Sequence, residues 1–132
     1  MKSLGRCRVV KKMVASDFSL FNDLEKMFES KGFRIRHRNV YEKNIDGVLV
    51  RSIILHAVSD KYGIVFTIHK YAGMKKHRVH LTLHSNSADL IELLEEAGYR
   101  VTYEENKVSA TGFFDEDNVL EKVNVVLDNI VG

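Results

Sequence analysis

One segment of this chain occurs twice, and the repeat limits what the chain can fold into. Asp23 to Ile35 reads DLEKMFESKGFRI, and Asp89 to Val101 reads DLIELLEEAGYRV. In both, an Asp-Leu pair opens the match and a glycine follows the leucine by eight residues. Aromatic, arginine and aliphatic residues come straight after that glycine. Each copy predicts a helix, a stop at a left-handed glycine that carries no Cβ penalty, and the start of a strand. Both copies run on into a hairpin, the first around Asn44-Ile45-Asp46-Gly47 and the second around Glu104-Glu105-Asn106. A single domain with an internal pseudo-repeat of about 1–66 and 67–132 is the expectation.

Periodicity supplies the remaining elements. Gly5 to Val14 reads as a first strand. Ser16 or Asp17 can cap a helix running to about Lys31, with Phe18, Phe21, Leu24, Met27 and Phe28 on one stripe. After Gly32 the period changes to two. Phe33, Ile35 and His37 then take the core side, and Arg34, Arg36 and Arg38 the other. Asn44 to Gly47 has the chemistry of a type I turn followed by a glycine bulge. That register sets Arg36 opposite His56 and Arg38 opposite Ile54. Ile64, Phe66 and Ile68 point inward while Thr67 and His69 point out. Val79, Leu81 and Leu83 alternate in the same way with Arg78, His80, Thr82 and His84.

Ser85 or Ser87 caps the second helix, which carries Leu90, Ile91, Leu93 and Leu94. Tyr99–Tyr103 and Lys107–Gly112 form the second hairpin. Asp115 or Asp117 opens a last helix with the stripe Val119, Leu120, Val123, Val126, Leu127 and Ile130. The fold expected is α+β, a curved antiparallel sheet with its helices on one face. It is built from two β-α-β-β units plus a C-terminal helix.

This order resembles the duplicated strand-helix-strand-strand domains of gyrase-inhibitor-like ligand-binding proteins. Asn106 to Ile130, NKVSATGFFDEDNVLEKVNVVLDNI, is similar to the last strand and helix of a TATA-box-binding-protein lobe, where a strand ending in Thr-Gly leads into an acidic-capped helix. The resemblance implies a fold and no site residues. The paired phenylalanine wedges that the DNA-binding family carries on its open face are not expected on the open face here, so groove kinking is not implied.

Charge decides what such a sheet could meet. The formal net charge is only +2. Residues 1–84, however, hold 17 Lys and Arg against 7 Asp and Glu, and residues 85–132 hold 3 against 11. Such asymmetry suits contact with nucleic acid or an acidic partner on the basic side, or head-to-tail association of copies. The candidate nucleic-acid-binding residues are Arg34, Arg36, Arg38, His56, His69, Arg78, His80 and His84, with Thr67 and Thr82 between them. Rows of arginine suit phosphates. Tyr41, Tyr62 and Tyr71 are the aromatics available for stacking, and none falls in a face row in this register. A groove between the two repeats offers an alternative, a small-ligand site.

Other chemistry finds little footing. There is no phosphate loop and no dinucleotide fingerprint. The single cysteine, Cys7, excludes an intrachain disulfide. His80 and His84, four residues apart on a strand, stand about 13 Å apart and cannot share a metal. The expectation is a non-catalytic binding module without metal or cofactor. No apolar run reaches the ~18 residues of a membrane helix, and a cytoplasmic location is expected.

Overall fold

Alternating sequences form the sheet, and helical stripes cover one side of it. The structure is a computed structural model that describes residues 19–70, 74–84 and 88–130. The strand expected over Gly5–Val14, Cys7, the caps at Ser16, Asp17, Ser85 and Ser87, and Tyr71 lie outside the described residues. Helix α1 is seen over 19–30. It is followed by β1 (Arg34–Ile45), β2 (Val48–Ser59), β3 (Ile64–Lys70) and β4 (Lys76–Leu83). Helix α2 (Ala88–Glu96), β5 (Arg100–Glu104), β6 (Lys107–Asp115) and α3 (Glu116–Ile130) complete the order. The six described strands make one open antiparallel sheet in the order β1-β2-β3-β4-β6-β5.

Every second residue of β3 is buried, and the same holds along β4 from His77. The inward set meets the helical stripes in one core. Phe21, Leu24 and Phe28 of α1, Leu94 of α2, and Val119, Val123, Val126 and Leu127 of α3 share it with Leu55, Phe66, Leu81 and Val108 of the sheet. The three described helices therefore cover the same face, as an α+β chain of this pattern requires. Among the described residues no helix is long and apolar enough to cross a membrane.

The repeated segments end their helices by the same bonds. Gly32 and Gly98 have φ of 86° and 103°. The Phe33 N–H donates to the Phe28 carbonyl at 2.9 Å and the Gly32 N–H to that of Glu29 at 3.1 Å. Sixty-six residues on, Tyr99 N–H donates to Leu94 at 3.0 Å and Gly98 N–H to Glu95 at 3.1 Å. This is the Schellman cap, which satisfies carbonyls that the helix end would otherwise leave bare. The Phe28 and Phe33 rings, 5.4 Å apart, make its hydrophobic contact.

The first hairpin differs from the expected one. Asp46 and Gly47 both have positive φ, 51° and 79°, and Ile45 pairs with Val48. The connection is a two-residue type I′ turn, whose twist matches that of the flanking strands. The Gly47 N–H donates to Asn44 Oδ1 at 3.0 Å. Arg38 consequently pairs with Leu55, and Asn39 takes the place opposite Ile54. Nearer the strand start Ile35 pairs with Ala57, so the register shifts between Ile35 and His37. Arg36 is the extra residue of this bulge. The turn fixes one register and inward placement of Phe33 and Ile35 demands the other. The bulge satisfies both.

The last strand is also longer than its sequence suggests. β6 continues past Gly112, and Phe113, Phe114 and Asp115 pair with Arg78, His77 and Lys76.

Candidate nucleic-acid interface

Residues directly opposite on neighbouring strands share a face. His37 pairs with His56, His56 with Thr67, Thr67 with His80, His80 with Thr111, and Thr111 with Arg100. One polar line thus crosses all six strands on the side away from the helices. On one flank runs Asn39, Ile54, His69, Arg78 and Phe113. On the other runs Arg34, Val58, Val65, Thr82, Ser109 and Thr102.

Most of the sequence candidates fall on these lines, and Arg38 does not. Its partner Leu55 faces the core, so its side chain turns toward α1. There Nη1 donates to Asn22 Oδ1 at 2.6 Å and lies 3.4 Å from Glu25 Oε2. Arg38 ties β1 to α1 and leaves the face. His37 moves the opposite way, out of the core side assigned to it, and its ring stands edge-on to that of His56 at 5.0 Å. His84 lies just past β4, exposed, with its N–H donating to the Gly63 carbonyl at 3.1 Å.

The arginines differ in how far they are compensated. Arg34 Nη2 lies 4.0 Å from Asp60 Oδ2, with both side chains well exposed, a geometry of little energetic weight. Among the described residues Arg36, Arg78 and Arg100 have no carboxylate within ion-pair distance. Arg36 lies close enough for its charge to act on His56. Arg100, which sequence reasoning left in the acidic half, closes the central line. Phe113 and Tyr41 are 52% and 55% exposed and belong to the same face, opposite Arg78 and Ser52. The face therefore carries aromatic surface that the sequence reading did not assign to it. Arg78, Gly98, Arg100, Thr111, Gly112 and Phe113 line a shallow concavity of about 640 Å³ at its β5 end.

His56, His69 and His80 favour their neutral form. His80 Nδ1 is 2.7 Å from Thr111 Oγ1. Burial lowers the pKa of His80, with the charges of Arg78 and Lys107 adding to it. Burial followed by Arg78 does the same for His69. Burial followed by His37 and Arg36 does so for His56. Because folding lowers these values below the ordinary ~6.5, the unfolded chain binds more protons there as pH falls. Stability contributed by the neutral rings is present above that value and lost below it. Thermal melts from about pH 7.5 to about pH 5.5 are expected to show a falling midpoint. Replacing His56, His69 and His80 by glutamine should flatten the fall, and an unchanged slope would contradict the assignment.

A shared metal finds no support in this geometry. His69 pairs with Arg78, so it is not directly opposite His80. His77 points to the helix side, 1% exposed, with its ring 6.1 Å from that of Phe21. Among the described residues no group of three His, Cys, Asp or Glu could hold an ion.

No protein-family model, no curated protein and no solved structure matches the chain.

Proposed function

We propose that this chain is a non-catalytic binding module whose sheet face engages nucleic acid. The observation that carries the reading is the polar line from His37 to Arg100, with Arg36, Arg78 and Arg100 on or beside it and, among the described residues, without a carboxylate in ion-pair distance. Each guanidinium can neutralise one phosphate and release its counterion, while Thr67, Thr82 and Thr111 can hydrogen-bond sugars or bases.

The test is the salt dependence of binding to a labelled oligonucleotide. Each phosphate contact contributes about −0.7 to −0.9 to the log–log slope. The double variant Arg36→Ala and Arg100→Ala should lower the magnitude of that slope by about 1.4 to 1.8. Folding should be nearly unaffected, since exposed substitutions usually cost under ~0.5 kcal/mol. Arg38→Ala, which removes a charge from the helix side, should leave the slope unchanged. Equal affinity and equal slope in the double variant would remove the proposal.

A second reading has one observation behind it. Asp89, Glu92 and Glu96 line a hollow on the helix layer together with Asn129. Such an acidic surface could meet the arginine face of another copy, a head-to-tail contact. Sedimentation of the free protein tests this directly.

A further inference from the structure

We infer that the face is built for single strands, with Phe113 as a stacking platform for an unpaired base and Arg78 and Arg100 holding the phosphates beside it. The inference rests on the nucleic-acid reading and narrows it. Phe113 exposes 52% of its surface on a strand whose neighbours Gly112 and Phe114 are buried. An exposed ring of this size is not needed by the core, which Phe114 enters from the opposite face.

The surroundings of the ring select the ligand class. Arg78 stands directly opposite Phe113 across the β4–β6 pair, a relation that brings Cβ atoms to about 4.5–5.5 Å. Arg100 pairs with Thr111, two residues before Phe113 on the same face, and so lies diagonally at about 7–8 Å. Two long cations therefore flank one apolar ring, and together they line the concavity with the Thr111 hydroxyl. Gly98 also lines it.

A duplex hides the faces of its bases, whereas a single strand offers a base plane and its phosphates together. An apolar plane between two guanidinium groups that have no carboxylate partner among the described residues complements that pairing of surfaces. Neither a free phosphate nor a duplex backbone would use the ring.

Fluorescence anisotropy with three labelled probes of about twelve nucleotides tests the inference. The probes are oligothymidylate, an abasic strand of equal phosphate count, and a duplex. The single strand is expected to bind most tightly. Phe113→Ala should weaken it roughly 5- to 150-fold with an unchanged salt slope, and Phe113→Tyr should restore most of the loss. The abasic strand should bind wild type and Phe113→Ala alike. If the duplex binds as well as the single strand and Phe113→Ala changes nothing, the stacking inference falls while the arginine face stands. If no probe binds with salt-dependent affinity, both readings fall. If the protein instead sediments as an oligomer that Phe113→Ala dissociates, the ring belongs to a contact between copies, and the inference is overturned.

Discussion

Replacing Phe66 by alanine is expected to remove about 3–5 kcal/mol from the unfolding free energy. Phe66 sits fully buried on β3, in the middle of the sheet. Its ring centroid is 5.0 Å from that of Phe28 on α1 and 5.8 Å from that of Phe33, the residue that follows the first glycine cap. One side chain thus holds the central strand, the first helix and the helix-to-strand junction together. Truncation would open a cavity bounded by two other rings and by β-sheet backbone, which cannot collapse to fill it. Domains of this size have roughly 5–15 kcal/mol in total, so the variant should be partly unfolded or close to it. Urea denaturation would show a large drop in midpoint, with Phe66→Leu losing much less. A loss below ~1 kcal/mol would mean that the three rings do not form the centre of the core.

Gly112→Ala is expected to cost about 1–3 kcal/mol although it adds only a methyl group. The strand is regular there, and the limit is space. A Cβ at position 112 would press into the Phe114 ring at Cζ and Cε2 and lie 3.1 Å from Tyr99 Cδ1. Neither ring can step aside at no cost. Phe114 is 8% exposed and packs edge-on to Tyr99, with centroids 5.0 Å apart. The Tyr99 hydroxyl in turn donates to the Lys122 carbonyl of α3 at 3.1 Å, and burial raises its pKa well above the ordinary phenol value. The added methyl should therefore loosen β6 from α3. Near-ultraviolet circular dichroism and a lowered melting midpoint would report it, and Gly112→Ala with wild-type stability would contradict this packing. Ala110, two residues earlier on the same face, provides the comparison, since it already carries a Cβ without conflict.

The parts of this architecture that were legible in sequence are those where one force acts alone. β3 and β4 alternate cleanly because burial decides each position, and both glycine caps are marked by a residue type that the left-handed conformation selects. β1 was misread where two forces compete. Arg-His-Arg tolerates either face, so a period of two ran through residues 36–38 without revealing the bulge. Asp46-Gly47 between apolar runs is the strongest short hairpin signal. Taken with the inward Phe33 and Ile35, it contains the conflict that the bulge resolves. Phe113 was hidden for a different reason. Gly112 reads as a strand end, whereas here the glycine is retained inside β6 because rings crowd above it. Arg100 was overlooked because it lies in the acidic half, and only strand pairing brings it into line with histidines from the basic half.

The strand order has a consequence for how the chain reaches this structure. Among the described strands every neighbour in the sheet is also a neighbour in sequence, except where β4 meets β6. The β1-to-β4 meander and the β5–β6 hairpin can each zip through local closure, at small entropic cost. Joining them along the β4–β6 seam requires α2 and β5 to be passed over first. That seam carries His80 beside Thr111 and Arg78 beside Phe113. The ligand surface proposed here is therefore complete only once the meander and the hairpin have joined along β4 and β6, the one pairing among the described strands that is not between sequence neighbours.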